Sequence, residues 1–243
     1  MKISAAEIKK IKSLSQKKFR DRYGLFTVEG EKMVSEAEKS GFEIESVWHR
    51  DEIGEDAMSR ISCLTSPSPV LAVVRKNIGK QIDFHPKPGL YLGLDSMRDP
   101  GNLGTVIRLA DWFGIDTIYA TEDTVDVFNP KVVQSTMGAI FRVNVIYTDF
   151  PAAVREFIDA GGRVYGTFLE GENIYKMDLD TGSHNPVMIV IGNESNGISD
   201  EVAALVSDKL HIPTFSIKDS GSESLNAAVA TAVTISEFRR RLF

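Results

Sequence analysis

The sequence predicts a parallel α/β sheet with helices on both faces, preceded by a smaller α/β unit. Three observations lead to that fold class. From Leu90 onward, short β-branched runs alternate with amphipathic stretches of about ten residues, the pattern of successive strand–helix units. Residues 76–89 hold Gly79, Pro86, Pro88 and Gly89 with little apolar periodicity, and read as a linker between a domain at 1–75 and another at 90–243. The 243 residues are 42% hydrophobic and 26% charged, as in a globular chain of one large or two modest domains.

The elements follow in order. Ser4-x-x-Glu7 is a capping box opening a first helix, in which Ile8, Ile11 and Leu14 recur at helical spacing and the lysines fall on the other faces. Leu25–Gly30 reads as a strand. Glu31–Ser40 reads as a helix with Met33, Val34 and Ala37 inward, closed by Gly41. Ile44–His49 and Val70–Arg75 read as strands, with Ser66–Pro69 a turn. Beyond the linker, strands are expected at Leu90–Asp95, Ile115–Ala120, Phe141–Tyr147, Arg163–Leu169, Val187–Gly192 and Lys209–Ile212. Helices are expected at Leu103–Phe113, Pro130–Met137 (capped by Asn129), Pro151–Ala160, Asp200–Ser207 and Leu225–Arg241.

Composition and missing fingerprints exclude several function classes. No apolar run approaches the length of a membrane span, and the first residues lack a signal core, so neither membrane insertion nor export is expected. Cys63 is the single cysteine, read as a small buried hydrophobe; it suits a reducing, cytoplasmic location. The four histidines stand alone, so no metal site is expected. Walker, dinucleotide-binding and hydrolase-elbow motifs are absent. The net charge of −6 is unevenly spread: residues 1–20 carry seven Lys or Arg against Glu7, a basic arm suited to phosphate contact on an otherwise acidic chain. A solvated helix face explains the same charges.

Three loops, each after an expected strand, remain. They are Leu94–Gly104, leading into a helix with Arg108; Ile191–Ile198, which contains Gly192-Asn193-Glu194-Ser195-Asn196-Gly197; and Ile212-Pro213 with Ser222–Asn226. Turn chemistry accounts for any one of them. Three at the carboxyl edge of one sheet make a binding site.

Together these segments resemble the SpoU family of the SPOUT class of RNA ribose methyltransferases. Asp99-Pro100-Gly101-Asn102-Leu103-Gly104 with Arg108 matches its first motif, Ile191–Glu194 with Gly197 its second, and Ile212-Pro213 with Ser224-Leu225-Asn226 its third. Lys17–Arg20 and Phe26–Gly30 are similar to the ribosomal-protein-like substrate-binding domain that many members carry. The resemblance implies a parallel sheet whose C-terminal part forms a deep trefoil knot, a homodimer, S-adenosyl-L-methionine as cofactor, and methyl transfer to a ribose 2′-oxygen of RNA, ribosomal RNA before transfer RNA. Two departures stand out: Thr214–Glu223, with Lys218 and Asp219, is longer than usual, and Ala227-Ala228 stand where valine and serine are common.

The resemblance also assigns roles. Arg108 acts on the ribose hydroxyl, either as base or, as a guanidinium with a pKa above about 12 suggests, as a phosphate clamp that stabilises developing alkoxide. An ion pair with Asp111 or Asp95 is the plain structural alternative. Asn102 orients that arginine or the ribose, or merely caps its helix. Glu194 anchors Arg108 or the RNA side, and Ser224 and Asn226 lie near the ribose or cap a helix. Gly192, Ile212 and Leu225, with Thr167 and Leu169, frame the cofactor. Lys17, Lys18, Arg20, Arg22 and Arg142 would meet RNA phosphates, while Arg239–Arg241 complement the last helix's negative end. Two other classes compete: a non-catalytic RNA-binding or ribosome-assembly protein, and a small-molecule α/β enzyme.

Overall fold

The computed structural model describes residues 3–76, 86–215 and 224–243. Most of the expected linker (77–85) and most of the long loop (216–223, with Lys218 and Asp219) lie outside them. The chain forms two compact units: Met1–Lys80 with Asp126–Arg142, and Gln81–Val125 with Val143–Phe243. In chain order the elements begin with α1 (Ala5–Ser13), α2 (Lys17–Tyr23), β1 (Leu25–Glu29), α3 (Glu31–Lys39), β2 (Ile44–His49), α4 (Arg50–Ile53), α5 (Glu55–Ile61) and β3 (Val70–Arg75). They continue with β4 (Gly89–Leu94), α6 (Pro100–Trp112), β5 (Thr117–Ala120), α7 (Pro130–Thr136), β6 (Asn144–Tyr147) and α8 (Phe150–Asp159). The last are β7 (Arg163–Asn173), β8 (Pro186–Ile191), α9 (Asp200–Ala203), β9 (Asp208–His211) and α10 (Ala227–Arg240).

In the first unit the capping box forms as the sequence predicts: Ser4 Oγ accepts from the Glu7 amide at 3.2 Å, and Glu7 Oε2 accepts from the Ser4 amide at 2.9 Å. The three strands pair antiparallel in the order β1-β3-β2. Alternation along β1 sends Leu25 to one face, where Ile8, Ile11, Leu14, Trp48, Met58 and Leu71 form a core. Phe26 faces the other way, its ring 4.8 Å from Phe128 and 6.5 Å from Phe141. Those two rings carry the segment Asp126–Arg142, read from the sequence as part of 90–243, into this unit. Phe141 itself ends a 3₁₀ turn, Ala139–Phe141, and the expected strand Phe141–Tyr147 begins only at Asn144.

Arg20 corrects a sequence expectation. It is 2% exposed. Its Nε and Nη2 donate to Asp126 Oδ2 at 3.0 and 2.6 Å, and its Nη1 donates to the Leu14 and Ser15 carbonyls at 2.9 Å each. With its donors turned inward, this guanidinium holds the α1–α2 turn to the Asp126 segment and is no phosphate contact. Cys63 is the opposite case. It is exposed, not a buried hydrophobe, and its amide donates to the buried Glu29 carboxylate at 2.7 Å.

The second unit is a six-stranded, wholly parallel sheet in the order β6-β5-β4-β8-β7-β9. Burial on both faces explains why β8, Pro186–Ile191, is an unbroken buried run. Phe150, Val154 and Phe157 of α8 pack with Met188, Val190 and Val164 beneath the sheet. Toward its end β7 leaves its neighbour and returns: Thr167 and Glu172 both pair with Leu210 of β9, and residues 168–171 loop out between them. Arg239–Arg241 do more than complement a helix dipole. Arg239 donates to the Phe113 and Gly114 carbonyls at 2.9 and 3.0 Å, fastening α10 to the end of α6, and Arg241 donates to Ile174 O at 3.1 Å.

Removing one partner of a buried pair leaves the other charged and unpaired. Arg20→Met is therefore expected to cost the first unit about 3–5 kcal/mol, read from its denaturant midpoint. Unchanged stability would return Arg20 to the surface set.

Candidate active site

The site is built on the loops that leave the carboxyl ends of β4, β8 and β9. Asp99 starts α6: its Oδ1 accepts from the Asn102 amide at 2.7 Å, and Pro100 occupies the first helical position, where no amide hydrogen is needed. The helix therefore begins three residues before the expected Leu103. Asn102 is not its cap, which corrects that alternative and leaves the Asn102 side chain free for other partners.

Those partners join all three loops. Asn102 Nδ2 donates to Glu194 Oε1 at 3.0 Å, across from the β8 loop. Asn226 Nδ2 donates to Asn102 Oδ1 at 2.9 Å. Asn226 Oδ1 in turn caps α10, accepting from the Ala228 and Val229 amides at 3.0 and 3.3 Å. The ends fix the direction of the chain. Helix amides only donate and a carboxylate only accepts, so both Asn amides must point the same way. Glu194 thus anchors Asn102 and the Asp99 amide (3.4 Å), and not Arg108.

A second layer holds these loops, and here sequence reasoning missed the residues. Asp95, buried beneath the site, accepts from the Ser199 amide and hydroxyl at 2.7 Å each, clasping the β8 loop at its far end. Asn193 Nδ2 donates to Ser96 O at 2.7 Å, while its Oδ1 accepts from the Ser195 and Asn196 amides. Ser96 sits at φ 59, in the left-handed region, and its hydroxyl donates to Asp123. The Thr121 hydroxyl, then Arg98 and Ser96, hold the Asp123 carboxyl below its ordinary range. Only Asp99-Pro100 carried a sequence signal for such a role. The Asp95–Ser199 and Asn193–Ser96 pairs span about a hundred positions and had none.

The remaining candidates divide. Arg108 is exposed on α6, on one stripe with Thr105 and Trp112, and makes no ion pair among the described residues; the alternative of a bridge to Asp95 or Asp111 does not form. It stands six residues beyond Asn102, about 9 Å along the helix. Gly192 is buried, but what excludes a side chain there is its own loop: an added Cβ would stand 2.2 Å from Gly197 C and 2.3 Å from Ile198 N. Thr167 is half-buried and donates to Val190 O at 3.3 Å. Ile212 is half-buried, and Leu169 and Leu225 are exposed at 67% and 51%. Ser224 is exposed at the start of the last described stretch. Ile212 follows β9, Leu169 lies within the excursion of β7, and Leu225 precedes the α10 cap residue Asn226.

In the first unit, Lys17 pairs with Asp21 at 2.7 Å, while Lys18 and Arg22 are exposed on the same helix without ion pairs among the described residues. Arg142 pairs with Glu36 and precedes β6, at that strand's amino end. Arg142, expected to meet RNA phosphates, is thus engaged by a carboxylate of its own unit.

Replacing Asn102 by Asp sets an acceptor against the Glu194 carboxylate and keeps the size. Asn102→Asp is expected to destabilise the second unit by about 1–3 kcal/mol at neutral pH, measured by denaturant unfolding. Wild-type stability in that variant would show that the chain of amides carries no energy.

Comparison with known proteins agrees with this geometry. The model of the SpoU rRNA methylase family matches residues 89–236, and that of the MRM3-like substrate binding domain matches residues 5–82. The chain is 30% identical, over 96% of both sequences, to the 23S rRNA (guanosine(2553)-2′-O)-methyltransferase RlmP of Bacillus subtilis. A putative RNA methyltransferase of the TrmH family from Porphyromonas gingivalis superposes with a TM-score of 0.88 at 36% identity, over 98% of this chain and 99% of that one. An rRNA methyltransferase from Sinorhizobium meliloti, solved with AdoMet bound, also gives 0.88, at 30% identity over 100% of this chain and 98% of that one. With more than half its length matched by one family's model, and with that family's three motifs meeting at one sheet edge, the chain belongs to the SpoU rRNA methylase family.

Proposed function

We propose that this protein transfers a methyl group from S-adenosyl-L-methionine to a ribose 2′-hydroxyl of ribosomal RNA, in the cytoplasm. The observation that carries the reading is the hydrogen-bonded line Glu194–Asn102–Asn226, which binds the three motif loops into one rigid platform. The relatives' names support ribosomal RNA as substrate.

The half-buried Ile212 and exposed Leu169 and Leu225, with the Gly192 loop beside them, fit the adenosyl end of the cofactor. When bound, that group supplies an electrophilic methyl on a good leaving group. The protein's task is then placement and charge. Holding an oxygen in line for attack is worth about 7–11 kcal/mol of barrier. Arg108, exposed and unpaired among the described residues, clamps the phosphate next to the target ribose and stabilises charge developing on the 2′-oxygen. A guanidinium is a poor base, so its role is electrostatic. Asn102, Ser224 and Asn226 orient the ribose, and Glu194 positions Asn102. Lys18 and Arg22 supply backbone contact from the first unit, whereas Lys17 is taken by Asp21.

The reading includes a homodimer and a knotted C-terminal segment. Trp112 is 84% exposed at the end of α6, and Val229, Leu242 and Phe243 are exposed on and after α10, which packs against α6. Apolar side chains on two neighbouring helices form the kind of patch that a second subunit covers. The packing of α10 on α6, with Asn226 tied to Asn102, supports the knotted reading.

Two measurements test this. Labelled S-adenosyl-L-methionine and ribosomal RNA lacking its modifications should give one alkali-resistant site, and Arg108→Ala should slow transfer by about 10²–10³-fold. Label confined to transfer RNA, or an active Arg108→Ala, would overturn the substrate or the role. In light scattering the wild type should have the mass of two chains and Trp112→Glu that of one; a monomeric wild type removes the dimer.

A further inference from the structure

The sequence of α2 repeats a cation–aromatic pair at a spacing of four: Lys18-Phe19, then Arg22-Tyr23. Four residues is about one helical turn, so both rings come to one face. Their planes are nearly parallel, at 14°, with centroids 6.3 Å apart, and both are only half-buried. Cations flank them: Lys18 Nζ lies 4.9 Å from the Phe19 centroid, and Arg22 Cζ lies 5.6 Å from that of Tyr23. Lys18 and Arg22 are exposed and make no ion pair among the described residues, whereas Lys10, Lys17 and Arg20 are committed to Glu45, Asp21 and Asp126. The basic arm is therefore two populations. One holds the unit together, and the other stands beside exposed ring faces.

We propose that α2 is a stacking platform for unpaired nucleotides, so that the first unit reads a loop or single-stranded stretch of the substrate RNA and not a duplex. Phe19 and Tyr23 receive base faces, and Lys18 and Arg22 hold the flanking phosphates. In A-form duplex RNA the base faces are covered by one another, and a helix surface meets only phosphates and 2′-hydroxyls. Unpaired bases present free π-faces, which stack on aromatic rings and on guanidinium planes. Cations alone would serve either form. Tyr23 also rests on the core of the unit and has Lys10 Nζ 5.7 Å from its centroid, yet both rings keep half-exposed, nearly parallel faces, which serve bases and not a duplex surface. The inference rests on the reading of this chain as an RNA methyltransferase and adds which part of the RNA the first unit grips.

The test uses the full-length protein and two RNAs of equal length and charge, a hairpin with a large loop and a blunt duplex. The wild type should bind the hairpin more tightly, and 2-aminopurine placed in the loop should be quenched. Phe19→Leu and Tyr23→Leu, which keep apolar bulk for packing, should each weaken hairpin binding about tenfold and leave duplex binding unchanged. Lys18→Gln and Arg22→Gln should weaken both and lower the salt slope by about one each. Equal binding of the two RNAs, an unquenched probe, or leucine variants that bind the hairpin like wild type would overturn the platform. If methyl transfer to ribosomal RNA persists in that case, only this inference falls; if the wild type neither binds nor methylates RNA, the enzymatic reading falls with it.

Discussion

Everything at the carboxyl edge of the parallel sheet depends on the direction of one amide, that of Asn102. Its oxygen faces the Asn226 amide, and its nitrogen faces the Glu194 carboxylate. Beyond Asn226 are the first free amides of α10, the positive end of that helix. The result is a polarised line that starts on a helix terminus and ends on a carboxylate, in which each bond strengthens the next. No member can turn over without opposing two like groups. Three loops far apart in sequence are thereby held in one arrangement before any substrate arrives, which is what placement of a nucleophile and an electrophile requires.

Around that line, charge is used sparingly and locally. Asp95 is spent on the Ser199 hydroxyl and amide, and Asp123 on Ser96 and Arg98, so that Arg108 remains the cation on the exposed stripe of α6. The first unit shows the same economy. Arg20 is consumed by structure, and its neighbours on α2 are left at the surface. Net charge describes neither arrangement. What matters is which cations have a carboxylate within reach.

The strand–helix rhythm from Leu90, the capping box at Ser4 and the three motif loops were all legible, because each depends on residues close in sequence. Asp99-Pro100 is a local signal too, although the helix it opens starts earlier than apolar periodicity suggests. What was illegible depends on distant partners. Arg20 looks like any other lysine-rich-arm cation until Asp126, 106 residues away, is brought beside it. Phe141 sits in a run of strand-forming residues, yet its ring belongs with Phe26 and Phe42, and this draws it out of the sheet. Leu225 is legible as a motif residue, but only the fold reveals that it is uncovered. The motif match identified Asn102, Glu194 and Asn226 as a group, but not that they bond to one another.

The excursion in β7 has a consequence for how this edge changes over generations. Because Thr167 and Glu172 pair with the same residue of β9, β7 shifts its register across residues 168–171 while β9 runs on unbroken. Gly171 fixes the returning limb, since a Cβ there would stand 2.6 Å from Lys209 O, and Leu169 is left near the tip. Such an insertion leaves the partner strand continuous. Its length and tip residues are free to drift while the flanking strands β8 and β9, and the hydrogen-bonded line their loops carry, keep their places. The tip of β7 can thus change at a rate of its own, uncoupled from the scaffold that carries it.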